Sequence, residues 1–269
     1  MTARDVVALI GVGDMGVAIA RRIAPGRQVV LADRDPAVLA SRVAEFEASG
    51  HDVTGVEADV TDAASLAALA AQCAERGVVR HLVHTAGVSP ATASVPAILA
   101  VDLLGTALVL DAFEDVIAPG GSGLVVASMA AALFPQPSRE LERALALTPS
   151  EELLALSGVA DLADAPTAYA VAKQGNILRV AARAAAWGRR GARLNAVSPG
   201  IISTAMGRDE LDSENGPIIR EMVRMSGSGR VGTADDVADA AAFLLSDAAS
   251  FITGTNLLVD GGVRAATWF

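Results

Sequence analysis

Val6-Val7-Ala8-Leu9-Ile10-Gly11-Val12-Gly13-Asp14-Met15-Gly16 decides how the rest of the chain is read. Five apolar residues ending at a glycine predict a buried strand, and Val17–Ile23 continues as a helix. Between them Gly11, Gly13 and Gly16 keep a Gly-x-Gly-x-x-Gly spacing, with Asp14 and Met15 inside the turn. Glycines there let the backbone turn sharply and approach a pyrophosphate, whose charge meets the helix N-terminus. The pattern alone is weak, because glycine-rich turns without a ligand are common. Its context strengthens it: Asp33 ends a second strand, Gln28–Ala32, about 20 residues further on. A carboxylate there accepts from both ribose hydroxyls and repels a 2′-phosphate, which favours NAD over NADP. Arg34 opposes that reading, since a guanidinium beside the site can hold the phosphate; otherwise it is a solvated surface charge.

Working outward, apolar strands alternate with Ala-rich helices. Helix Pro36–Ser49 follows the second strand, then come strand Asp52–Ala58, helix Asp62–Arg76 and strand His81–His84. A helix over Val95–Ile117 precedes strand Leu124–Ala127; helix Ala168–Gly188 precedes strand Arg193–Val197; helix Ala234–Leu245 precedes strand Leu257–Val259. Parallel strands need crossovers, so this alternation predicts an α/β fold. It is a Rossmann-type, doubly wound parallel sheet of about seven strands with helices on both faces. Ligands of such sheets bind beyond the carboxyl ends of the strands. At the end of the third strand stand Asp59 and Val60; the Asp59 carboxylate either meets an adenine amino group or caps the next helix.

No linker or internal repeat divides the 269 residues, so 1–269 reads as one domain. A hydrophobic fraction of 52%, mostly Ala and Val, suits buried strands under closely packed helices. The net charge of −10 argues against nucleic acid, whose phosphates require a basic footprint. The uncharged stretches Leu82–Val101 and Val116–Ser138 are both broken by Gly and Pro, so no membrane span is expected in either. Cys73 is the one cysteine, and the N-terminus lacks a basic segment before a long apolar run. A cytoplasmic location is expected. His51, His81 and His84 show no metal-ligand spacing, and no metal site is expected.

Tyr169 and Lys173 lie four apart on a predicted helix and therefore share a face. A phenol titrates near 10 in water, and a neighbouring ammonium stabilises the phenolate. Ser128, at the carboxyl end of the fifth strand, can hold a substrate oxygen while Tyr169 moves the proton. Tyr-x-x-x-Lys also occurs by chance as a helix-surface pair. The glycine-rich turn and the strand-end serine ahead of it reduce that alternative.

The ordered set of motifs resembles the short-chain dehydrogenase/reductase superfamily over essentially the whole chain. The matching pieces are the glycine turn, Asp33, Asp59-Val60, Thr85-Ala86-Gly87, Ser128, Tyr169–Lys173 and Asn195–Gly200. Gly229–Gly232 ahead of Asp235–Ala238, and Ile252–Gly254 leading to Asp260–Gly262, add to them. The resemblance implies a hydride transfer between NAD(H) and an alcohol or carbonyl carbon of a small molecule, with Ser128, Tyr169 and Lys173 as the catalytic set. It also implies cofactor contacts from Ala86, Gly87, Pro199 and Gly200, and that the backbone around Ile202, with Thr204, fixes the nicotinamide carboxamide. A homo-oligomer is expected. Enoyl reductases of the superfamily carry the lysine later, where this chain has Asn176. Sugar-nucleotide epimerases share the Tyr/Lys pair but need a longer segment after Pro199-Gly200.

Three departures stand out. The glycine loop is two residues shorter than the family's usual one, so the resemblance does not imply the loop's hydroxyl contacts to the adenosine ribose here. Asp102 replaces the family's catalytic Asn; ionised, it can accept from a water but not donate. That substitution implies a slower or pH-shifted enzyme, or a catalytically impaired dinucleotide sensor. Third, residues 134–165 form an insertion before Tyr169, with short helices expected over Glu140–Leu147 and Ser150–Leu156. A similar insertion occurs in some bacterial hydroxysteroid dehydrogenase/carbonyl reductases. It either remodels an oligomer interface or closes over substrate. Residues 205–228 are expected as a mobile substrate loop, with Met206, Ile218, Ile219, Met222 and Met225 either offering an apolar lining or simply packing the core side of a short amphipathic helix.

Overall fold

The computed structural model describes residues 4–268. Its centre is a seven-stranded sheet in the order β3-β2-β1-β4-β5-β6-β7, every neighbouring pair parallel. The strands are β1 Asp5–Ile10, β2 Gln28–Asp33, β3 Asp52–Glu57, β4 Val78–His84, β5 Ser122–Val126, β6 Arg193–Pro199 and β7 Asn256–Val259. From β1 the chain builds outward through β2 and β3, then returns to β4 on the other side of β1. That reversal opens a crevice beyond the ends of β1 and β4.

Side-chain alternation assigns the two helical layers. Val6, Ala8 and Ile10 pack with α3 (Ala63–Arg76), α5 (Gly105–Glu114) and α8 (Ala165–Arg189), through Leu66, Phe113 and Trp187 among others. Val7 and Leu9 face α1 (Asp14–Ile23), α2 (Pro36–Ala48) and α11 (Ala234–Leu245), through Ile19, Phe46 and Leu244. Pro36 enters the first turn of α2, whose N-cap Asp35 accepts from the amides of Ala37 and Val38.

The helix expected over Val95–Ile117 runs instead from Val95 to Glu114. It comprises α4 (Val95–Ile98), a π-helical segment Leu99–Leu104, and α5. It is the one described helix long and apolar enough to cross a membrane. Here Leu103, Val109, Leu110 and Phe113 are buried within the protein, and its midpoint carries the buried Asp102. The widened turn at Leu99–Leu104 is the kind of local irregularity found at functional sites.

The inserted segment follows α6 (Ala130–Leu133) and holds α7 (Arg139–Leu147) and a 3-10 helix Ser150–Ala155, the latter tighter than expected. Leu145, Leu153 and Val159 are fully buried against Ile98, Leu103, Ala168 and Ala172. The segment therefore packs on the N-terminal half of α8, whereas Ala181, Ala182 and Ala185 further along that helix stay exposed. Arg179 of α8 donates to the Thr148 carbonyl, and Ser150 to Asp111 of α5, which secures it. The expected loop over 205–228 is largely helical, as α9 (Ala205–Asp212) and α10 (Gly216–Met225). Thr204 caps α9 by accepting from Gly207, and Pro217 occupies the first turn of α10. Helix α12 (Val263–Trp268) ends the described chain.

Candidate functional site

Two cavities meet beyond the carboxyl ends of the strands. The first, about 410 Å³, is lined by Gly11–Gly16, Asp33, Arg34, Asp59, Val60, Ala86 and Gly87. Gly11 has φ +88°, and a Cβ there would lie 2.4 Å from the Ala86 amide nitrogen. Gly16 is as constrained, its Cβ position 2.5 Å from the Gly11 carbonyl oxygen and the Thr85 hydroxyl. Nothing approaches within 4 Å of the Cβ position at Gly13, which faces the open cavity, and α1 begins there without a side-chain cap. A phosphate-bearing ligand fits this arrangement: an open glycine cradle facing uncapped helix amides.

Asp33 turns back on the same loop. Its Oδ2 accepts from the Val12 amide at 3.0 Å and its Oδ1 from the Asp35 amide at 3.1 Å. Each oxygen keeps a second lone pair for a ligand hydroxyl. Two arginines line this end. Arg42 is engaged by the Val12 carbonyl, Asp14 and Glu45, whereas Arg34 is exposed and makes no ion pair among the described residues. Asp59 bonds the amide and hydroxyl of Thr61, each at 2.8 Å, and these bonds hold its carboxyl below its ordinary value. The cap of α3 is Asp62. The capping alternative for Asp59 is therefore corrected, and its carboxylate borders the cavity.

The second cavity, about 870 Å³, has Ser128 and Tyr169 in its wall, with Pro199, Gly200, Ile202 and Thr204. It shares Met15, Thr204 and Met206 with the first, so the two form one connected cleft. Met206, Ile218, Ile219 and Met222 line it as expected from the sequence; Met225 does not, and is exposed. At the mouth of β5, Ser128 is fixed because its neighbours Ala127 and Met129 donate to the Val197 and Pro199 carbonyls. The Ser128 oxygen accepts from the Ala130 amide at 3.2 Å, which leaves its own proton free to donate.

Tyr169 and Lys173 project from one face of α8, the ammonium 5.3 Å from the phenol ring centre. Lys173 lines neither cavity. It lies behind Gly87, where an added Cβ would come within 3.2 Å of Nζ and 2.6 Å of Asp102 Oδ1. Lys173 Nζ donates to Asp102 Oδ1 at 2.8 Å, and the Val88 amide faces both carboxylate oxygens at 3.3 and 3.4 Å. Burial would lower the lysine, yet the Asp102 carboxylate and the phenol outweigh it and hold Lys173 above its ordinary value. Tyr169 is pushed above 10, first by burial and also by Asp102 and Glu210, against the opposing pull of Lys173 and Ser128.

Behind this pair, the Thr106 hydroxyl donates to the Asp102 carbonyl at 2.9 Å and meets His84 Nε2 at 3.1 Å. Thr106 has one proton, so His84 is the donor in that contact. Burial, with a smaller contribution from Lys173, lowers His84 to about 3. His81 is likewise buried, its Nδ1 2.9 Å from the Ser122 hydroxyl. Among the described residues no group of three or more His, Cys, Asp or Glu side chains is placed to hold a metal ion.

Thr85, part of the Thr-Ala-Gly motif read from the sequence, borders the first cavity. Several other lining residues were not singled out from the sequence: Val38, Arg42 and Val101 border the first cavity, and Pro90, Leu133, Phe134 and Glu210 the second. These come together only through the crossing of separate elements.

Comparison with known proteins agrees with this geometry. The family model described as enoyl-(acyl carrier protein) reductase matches residues 11–140 and 138–264. The chain is 35% identical to the short-chain dehydrogenase/reductase bsc3 of Alternaria brassicicola, covering 98% of this chain and 97% of that one. It is 32% identical to 3-alpha-hydroxysteroid dehydrogenase/carbonyl reductase of Comamonas testosteroni, over 82% and 90% of the two chains. A solved 7 alpha-hydroxysteroid dehydrogenase, complexed with NADH and 7-oxo glycochenodeoxycholic acid, shares the fold at TM-score 0.76 and 23% identity, covering 96% of this chain and 93% of that one. Sheet order, connected cleft and full-length relatives lead to one conclusion: the chain belongs to the short-chain dehydrogenase/reductase superfamily, oxidoreductases that bind NAD(P) and act on CH–OH groups.

Proposed function

We propose that the protein is an NAD(H)-dependent dehydrogenase/carbonyl reductase for secondary alcohols and ketones on apolar or alicyclic skeletons. The observation that carries this reading is the convergence of Ser128 and Tyr169 on one wall of the second cavity, with Lys173 directly behind Tyr169 and Gly87. The dinucleotide would lie along Gly11–Gly16, with Asp33 at the adenosine ribose and Ala86, Gly87, Pro199, Gly200, Ile202 and Thr204 bordering its path. When bound, the nicotinamide supplies or receives the hydride.

The chain's own residues handle the proton. Ser128 donates to the substrate oxygen and orients it. Tyr169 Oη takes the hydroxyl proton in the oxidative direction and returns it to the carbonyl oxygen in reduction. Lys173 spends one proton on Asp102 and retains two for a ribose hydroxyl and the phenolate side. NAD over NADP is supported by the fixed Asp33 carboxylate and by the tethering of Arg42 to Asp14 and Glu45; Arg34, without an ion pair among the described residues, is the feature that opposes it. The NADH named with the 7 alpha-hydroxysteroid dehydrogenase, and the hydroxysteroid and carbonyl substrates named for relatives, point the same way.

The test is Tyr169→Phe. Turnover of cyclic alcohols should fall by about 10³-fold or more while NADH affinity stays within about twofold; parent-like activity would overturn the assignment. A second reading, a dinucleotide sensor, draws on the neutralisation of Lys173 by Asp102. NADH binding with no turnover across a panel of hydroxysteroids, terpenoid alcohols and acyl-thioester alcohols would favour it. We further propose a homo-oligomer. The inserted segment packs on the N-terminal half of α8 and so reshapes the surface that this helix can offer a partner.

A further inference from the structure

The three charged side chains that line the second cavity are all acidic, Glu210, Asp212 and Glu214. Two of them are rim groups: Asp212 is exposed and 3.7 Å from Arg220, and Glu214 is exposed. Glu210 is different. It is half-buried on α9, and its Oε1 accepts from the hydroxyl of buried Ser89 at 3.2 Å. Ser89 in turn accepts from the Ala91 amide at 3.1 Å, so its single proton is committed to Glu210. Glu210 Oε2 makes no hydrogen bond among the described residues. The surrounding wall is apolar: Leu133, Phe134, Met206, Ile218, Ile219 and Met222.

We propose that Glu210 is a specificity-determining residue that receives a hydrogen-bond donor on the part of the substrate remote from the reacting carbon. The pocket then takes neutral hydroxy-ketones or diols on an apolar ring. It rejects carboxylates, sulfonates and phosphates, because no lining cation offsets Glu210. This inference rests on the reaction proposed above. Discrimination of this kind is as much repulsion of the wrong partner as attraction of the right one. Two like charges about 6 Å apart at an effective dielectric near 20 correspond to roughly 100-fold in affinity.

The test compares 4-(hydroxymethyl)cyclohexanone with 4-oxocyclohexanecarboxylate on the full-length enzyme with NADH, at pH 8 and about 0.3 M salt to screen long-range charge. Both Kd for the enzyme–NADH complex and kcat/KM are measured. The parent should prefer the hydroxymethyl ketone by at least about tenfold, and Glu210→Gln should bring the ratio within about threefold of unity. Glu214→Gln should leave it in place, and unchanged NADH affinity reports that each variant is folded. Equal use of both ketones by the parent, a ratio unmoved in Glu210→Gln, or an equal change in Glu214→Gln would overturn the inference while leaving the reaction intact. Binding discrimination that Glu210→Gln abolishes, without turnover of either ketone, would retain the inference and overturn the reaction.

Discussion

Lys173 and Asp102 form an ion pair at 2.8 Å with both side chains out of water. Burial is what chiefly raises the Tyr169 phenol; Lys173 opposes it, and the Asp102 carboxylate works against Lys173. Alcohol oxidation through Tyr169 requires the deprotonated phenol, so activity rises with pH through its pKa. Asp102→Asn removes the carboxylate charge and should move the rising limb of the kcat/KM profile to lower pH. An uncompensated buried lysine should also cost about 3–5 kcal/mol of stability. A pH–rate profile that coincides with the parent's would show that Asp102 does not act on the phenol.

Gly87 makes that pair possible. A methyl there would stand 2.6 Å from Asp102 Oδ1, and Asp102 is too enclosed to give way. Gly87→Ala should lower kcat by about 10²-fold with the fold retained, because a small displacement of catalytic groups is costly. Kinetics alongside circular dichroism would check this; parent-like kcat would mean that the pair is not tied to catalysis.

Asp33 bears on cofactor choice. Both its oxygens are held by loop amides, so its charge is fixed beside the glycine turn, where the proposed dinucleotide would place its adenosine ribose. Asp33→Ala should weaken NADH by about 10-fold or more and NADPH much less, while Arg34→Ala should reduce residual NADPH binding. Fluorescence titration with both nucleotides reads the ratio. An NADH/NADPH preference unchanged by Asp33→Ala would reverse the cofactor assignment.

Much of this is legible in the amino-acid sequence. The seven strands follow from short apolar runs, and the order of Gly11, Asp33, Ser128, Tyr169 and Lys173 placed one residue at each of several strand ends or on one helix face. What could not be read was anything set by two elements crossing. Glu210 and Ser89 are far apart in sequence and meet only because α9 folds over the cleft. For the 205–228 segment a mobile loop and a short amphipathic helix were both open, and Thr204 and Pro217 start two helices inside it. Asp102 was visible as a departure, but its capture of Lys173 depends on a π-helical turn that has no periodicity signal of its own.

Two buried histidines give a pH signature for folding. His84 is lowered to about 3 and His81 to about 4, both chiefly by burial. Unfolded, each protonates near 6.5, so the unfolded chain binds more protons below that value. The contribution is fully present above about pH 6.5 and is lost as pH falls toward 4. Urea denaturation should show a loss of about 2–3 kcal/mol between pH 7.5 and 5.5. His84→Gln should flatten the slope; an equal slope would assign the effect to other groups.

The inserted segment offers the last test. If it were chiefly a lid, trimming its apolar side chains would alter substrate kinetics and leave the fold alone. Leu145 instead is fully buried and packs 3.6 Å from the Cβ position of Gly175 on α8, next to the buried Leu103. Leu145→Ala should therefore remove about 3 kcal/mol of stability through the cavity it leaves, with NADH affinity unchanged. A thermal midpoint equal to the parent's, together with a changed KM, would show that the segment is a lid and not part of the core.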